Sequence, residues 1–164
     1  FWIIRSSPFS LREFLWAKFW SSVLPLLVLA EVLAVLSNTL LKVTPFMMAL
    51  SAVTVFMMTF GIAALGIGLG AAFPRFRHEN VAQIPTGFGG IVYMLVTMIF
   101  IGIVITLEAW PVYRIFMAQT VGSAIPASGW VRIVLSFAMV LVINALALFM
   151  PLKIGLKRLS EREI

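Results

Sequence analysis

The chain has six carboxylates, at positions 13, 31, 79, 108, 161 and 163, too scattered to pair as a general acid and base. Glu31 stands apart because it interrupts a stretch of otherwise apolar residues. An ionisable group inside a membrane span is a functional-site hypothesis, and its chemistry would be proton or ion binding. The structural alternative is a protonated or hydrogen-bonded side chain clamping one helix to another, through Asn144 or a hydroxyl of another span. A second cluster, Arg75-Phe76-Arg77-His78-Glu79-Asn80, joins dense charge to one aromatic ring and a short helix-like stretch from Glu79 to Ile84. It suits docking of a cytoplasmic partner, and equally a solvated basic anchor. His78 is the single histidine and there is no cysteine, so neither a multi-histidine nor a thiolate metal site is expected. P-loop, H-E-x-x-H and G-x-S-x-G strings are all missing. The expectation is therefore no catalytic residue, no cofactor, no metal and no enzyme activity in this chain.

The elements that carry these residues follow from composition. The 164 residues are 62% hydrophobic and 11% charged, with a mean hydropathy of +1.11. A soluble domain carries about 25% charged residues, and this much apolar surface would aggregate in water. Soluble, disordered and fibrous classes are excluded, which leaves an all-α membrane protein. A helix needs about 20 apolar residues to cross the hydrocarbon core. Four stretches qualify, with spans at about 19–41, 45–73, 88–107 and 133–152, forming one transmembrane domain over 1–164. Glu31 costs the first span about 3 kcal/mol, which the surrounding Leu and Val residues outweigh.

Cations set the expected orientation. Arg5, Arg12, Lys18, Arg75, Arg77, Lys153, Lys157, Arg158 and Arg162 fall on one side, and Lys42, Arg114 and Arg132 on the other. The positive-inside rule then puts both termini in the cytoplasm. Net charge is +6, and with cations at the edges of apolar runs the partner is the anionic inner leaflet rather than nucleic acid. Ser10-Leu11-Arg12-Glu13 fits a capping box, with Phe9 and Phe14 as its staple, so an interfacial elbow helix over 10–18 is expected before the first span. Trp16, Phe19 and Trp20 suit the headgroup level. Residues 108–131, with Trp110, Tyr113, Phe116, Met117 and Trp130, are expected as an outer loop whose 112–125 stretch is interfacial or re-entrant, an aromatic belt or an external gate. Gly61, Gly66, Gly68 and Gly70 have the small-residue spacing of closely packed membrane helices. The same string as a phosphate cradle lacks the strand that a dinucleotide turn requires.

Three strings carry a family resemblance: "FWIIRSSPFSLREFLWAKFW", "GLGAAFPRFRHENVAQIPTGFGG" and "PLKIGLKRLSERE". The first resembles the elbow before a late span in the permeases of ATP-binding cassette (ABC) exporters. The second is similar to the glycine-rich span end and charged loop of one ABC exporter permease family, and the third looks like that family's cytoplasmic tail. The resemblance implies a transmembrane permease subunit moving an unidentified substrate across the plasma membrane of a prokaryote. Its energy would come from a separate cytoplasmic ATP-binding cassette ATPase, and a second permease half or another copy of the chain would complete it. It also implies that these residues are the C-terminal portion of a longer permease, with Arg75 to Asn80 as the ATPase-coupling loop. Two other readings stand beside it: a proton- or ion-coupled secondary carrier using Glu31, and a non-transporting membrane assembly subunit.

Overall fold

Residues 11–72, 88–122 and 126–160 are described by a computed structural model, and their regular structure is entirely helical. Helix α1 is Leu11–Leu40, α2 Pro45–Ala72, α3 Phe88–Val121 and α4 Ala127–Ser160. All four are long and apolar enough to cross a membrane. At 1.5 Å per residue even α2 is about 42 Å long, more than the ~30 Å hydrocarbon core.

The helix ends have local causes. After α1 the amide of Val43 donates to the carbonyl of Asn38, and the amide of Lys42 to that of Thr39. Lys42 takes a left-handed conformation, with φ at 52°. This is the Schellman arrangement, built here without the usual glycine. Thr44 then caps α2, its hydroxyl accepting from the Met47 amide at 3.4 Å, and Pro45 fills the first helical position, where no amide is needed. Gly122, with φ at 68°, follows the last residue of α3. Pro126 immediately precedes α4, its carbonyl accepting from the Gly129 amide at 2.8 Å.

Packing places α2 at the centre. It packs most extensively on α4, and these two helices each touch all the others; α1 meets α4 only lightly, and no contact joins α1 to α3 among the described residues. Directions follow from paired positions. Asn38 donates to Ser51, and Phe19 lies against Phe60 with ring centroids 6.2 Å apart, so α1 and α2 are antiparallel. Thr54 meets Glu108 and Gly66 meets Tyr93, so α2 and α3 are antiparallel. Gly61 lies by Ala147 and Gly68 by Pro151, so α2 and α4 run the same way. This is the alternation that four successive crossings demand.

The distribution of side chains is the reverse of a soluble bundle. Buried positions of α2 are small or polar (Thr59, Gly61, Ala63, Ala64, Gly68, Ala72), with Leu65 as the exception. Large apolar side chains such as Leu24, Val28, Leu36, Met98, Val134 and Phe149 face outward. In water such a surface would not stay dispersed. In lipid, tails cover it and small residues let helix backbones come close.

Several expectations change. Leu11–Lys18 run unbroken into the first span as α1, with nothing between Leu11 and Pro25 to interrupt a helix. The Ser10 cap and the Phe9–Phe14 staple lie outside the described residues. Phe19 is not an interfacial ring: it is 2% exposed and packs with Val23, Ala63 and Ala64. The four-residue spacing of Leu15, Phe19, Val23 and Leu27 turns it toward α2, leaving Trp16 and Trp20 exposed. The expected outer loop is largely helix. α3 continues through Glu108, Trp110 and Pro111 to Val121, and α4 starts at Ala127. A proline removes one helical hydrogen bond, but Pro111 is fully buried, and neighbouring helices in a membrane tolerate such a break.

Candidate functional site

Register assembles the site. Pairing of Asn38 with Ser51, and of Val23 with Ala63 and Ala64, puts Glu31 of α1 level with the middle turns of α2. The Gly61–Ala147 and Gly68–Pro151 contacts put Asn144 of α4 level with the same turns. Thr59 of α2 is buried at this depth, its hydroxyl donating to the Val55 carbonyl at 2.7 Å. The result is a polar belt across the middle of an otherwise apolar bundle.

Glu31 and Asn144 are not clamped to one another. Asn144, 5% exposed, turns its amide nitrogen back on its own helix and donates to the Val140 carbonyl at 2.9 Å. Its Oδ1, the Glu31 Oε1 and the Thr97 Oγ1 are buried without a hydrogen-bond partner. The physical reason is topological. Glu31 and Asn144 sit on α1 and α4, which meet only lightly while each packs far more extensively on α2. Three helices thus direct acceptor atoms with unused capacity at the apolar interior, where unsatisfied polar atoms are costly. The belt can accept protons or hydrogen bonds.

A contact that sequence reasoning missed joins α2 to α3. The Thr54 hydroxyl donates to the Glu108 carboxylate, with Oγ1 2.8 Å from Oε1 and 3.0 Å from Oε2. Glu108 had been expected in the outer loop, because the charge-free run ends just before it. The missed signal was Glu108 followed by ten residues with no glycine and only Pro111 as a breaker, compatible with a continuing helix. Two turns beyond, Arg114 stacks over the Trp110 ring at 5.9 Å. Removing the hydroxyl with Thr54→Val should cost about 1 kcal/mol, the usual size of an interhelical hydrogen bond in lipid. That cost should vanish in a Glu108→Ala background, as a double-mutant cycle on unfolding in mild detergent would read.

The four glycines have different surroundings. A Cβ at Gly68 would overlap the Pro151 carbonyl and fall 2.6 Å from the Pro151 Cβ. Opposite, a Cβ at Gly155 would fall 2.8 Å from the Gly68 carbonyl oxygen. A Cβ at Gly61 would fall 2.9 Å from the Phe100 ring and one at Gly66 3.4 Å from the Tyr93 ring, while one at Gly70 would meet nothing within 4 Å among the described residues. The cluster Arg75, Phe76, Arg77, His78, Glu79 and Asn80 lies outside the described residues.

The chain matches one protein family, described as "Putative ATP-binding cassette", over residues 1–164. No curated protein and no solved structure matches it. The match corrects the permease expectation: the family is described by an ATP-binding cassette, and neither a permease nor an exporter is part of that description. The quoted strings misled because apolar spans and Pro/Gly-punctuated loops recur in many membrane families, whose bilayer constraints are shared. Agreement therefore stops at the level of the ABC system. Matched over its whole length, this chain belongs to the "Putative ATP-binding cassette" family.

Proposed function

We propose that the chain is a membrane-embedded helical unit of an ATP-binding cassette system. The family match over residues 1–164, joined to four helices of membrane-crossing length, carries this reading. The chain holds no P-loop string, so nucleotide hydrolysis is assigned to a separate cytoplasmic ATP-binding cassette ATPase. A second copy of the chain, or a further helical half, is its partner within the membrane.

The cation bias supports both termini in the cytoplasm; a prokaryotic plasma membrane as location is what the resemblance to ABC systems implies. Lys18, Lys153 and Lys157 share one end of the bundle, with Lys42 and Arg114 at the other. The first turns of α1, with exposed Trp16 and Lys18, fit an interfacial segment at the cytoplasmic surface. On this reading Arg75 and Arg77 supply the charges that dock the ATPase.

Purification in mild detergent, with mass spectrometry of what accompanies the chain, tests the proposal. The expected result is a P-loop ATPase that is lost when Arg75 and Arg77 are both changed to Glu, while the chain stays in the membrane fraction. Docking unchanged by the reversal would overturn the role of the two arginines. A preparation free of any ATPase in several gentle detergents would overturn the ABC-system reading itself.

A further inference from the structure

At the end of the bundle where α1 begins and α4 finishes, a groove of about 350 Å³ lies between the two helices. Leu15, Trp16 and Phe19 line it from α1, and Leu152, Lys153 and Leu156 from α4. Its deep wall is hydrocarbon, since Leu15 and Phe19 are buried. Lys153 is exposed and, among the described residues, is the one charged residue of the lining. It follows directly on the apolar run 133–152, so its ammonium falls where hydrocarbon gives way to headgroups. Trp16, 43% exposed, stands at the rim, the level at which indole rings settle.

We propose that this groove holds an anionic phospholipid, one acyl chain lying along Leu15, Phe19 and Leu152 and the phosphate resting on Lys153. The volume is within the ordinary range for a small-ligand site. Basic pockets between membrane helices bind acidic headgroups by the same logic. A second copy of the chain is a poorer occupant, because this end of the bundle also carries the exposed Lys18 and would set cation against cation. Inorganic phosphate alone leaves the apolar wall unused. The inference requires the membrane placement but not its orientation.

Native mass spectrometry of protein released from vesicles of equal parts phosphatidylcholine and phosphatidylglycerol is the test. Phosphatidylglycerol should be retained about fivefold over phosphatidylcholine, the worth of one lysine at an anionic surface. Lys153→Gln, at an exposed position, should bring the ratio to one, and Lys153→Arg should preserve it. Equal retention by the unaltered protein, a preference that survives Lys153→Gln, or displacement of the lipid by inorganic phosphate would each overturn the proposal. A second measurement uses a protein with Trp16 as its single tryptophan, in bilayers carrying brominated lipid. Brominated phosphatidylglycerol should quench Trp16 more strongly than brominated phosphatidylcholine does, and equal quenching would also overturn it. Quenching by brominated phosphatidylcholine reports insertion by itself, so a failure of membrane placement is separately visible.

Discussion

Gly68→Leu is expected to unfold the α2–α4 pair, lowering stability by about 3 kcal/mol or more, while Gly70→Leu is expected to change it by less than about 0.5 kcal/mol. The two glycines are two residues apart in one helix, so helix propensity affects them alike and in the stabilising direction. The difference is what each faces. At Gly68 the new side chain meets the Pro151 backbone and Cβ, which cannot swing aside as a flexible side chain would. At Gly70 it meets open space. Gly155→Leu should resemble Gly68→Leu, because it strikes the same crossing from the other helix. Thermal unfolding in mild detergent, followed by size-exclusion profile, reads all three. Equal tolerance at Gly68 and Gly70 would show that the crossing is not made.

Glu31→Leu is expected to stabilise the protein and to favour insertion of α1 by about 3 kcal/mol. A carboxylate removed from mid-span ordinarily exacts a penalty through the partner it leaves behind. Here no described group donates to Glu31, and its Oε1 is buried without a hydrogen bond. The substitution therefore removes a desolvation cost and leaves no group stranded. An insertion assay on the isolated α1 span would read the first effect, and unfolding of the whole protein the second. A destabilised Glu31→Leu protein would mean that a donor holds Glu31 in the native assembly. If the protein gains stability and its system loses function, Glu31 is retained for use rather than for packing, which is the common fate of ionisable groups at membrane depth.

The four helices were legible because the bilayer enforces a simple rule: a crossing needs about 20 apolar residues, and charges collect at the edges. The rule marks where hydrocarbon ends and says nothing about where a helix ends. For that reason the apolar run of the third span closes at Leu107, whereas α3 continues to Val121. The start of α2 has a local cause in Thr44-Pro45, a cap and first-turn proline that the charge-free run alone does not use. Phe19 shows a different limit. Its ring type suggested an interface, but its four-residue spacing with Leu15 and Val23 already set its direction toward α2. The glycine spacing pointed to close packing without saying which glycine faces which helix. Two of those answers depend on Phe100 and Pro151, far along the chain. The Glu31–Asn144 clamp is not made for the same reason, because helix order in sequence does not reveal that α1 and α4 meet only lightly. Thr54 and Glu108 likewise meet across a long separation that no local pattern encodes.

The position of α2 also sets a timetable for making the protein. Its heaviest partner, α4, is the last helix to be synthesised, and Pro151 is added roughly 80 residues after Gly68, some 4 to 17 seconds later at ordinary elongation rates. Through that interval the small-residue face of α2 is in the bilayer with its groove unfilled. The α1–α2 hairpin, already tied by the Schellman turn and the Asn38–Ser51 contact, can form at once and wait. Nascent chains stalled before residue 127 should therefore present a sticky, glycine-lined α2 to whatever insertion factor or neighbouring helix is at hand. Completion of α4 would be the event that releases them.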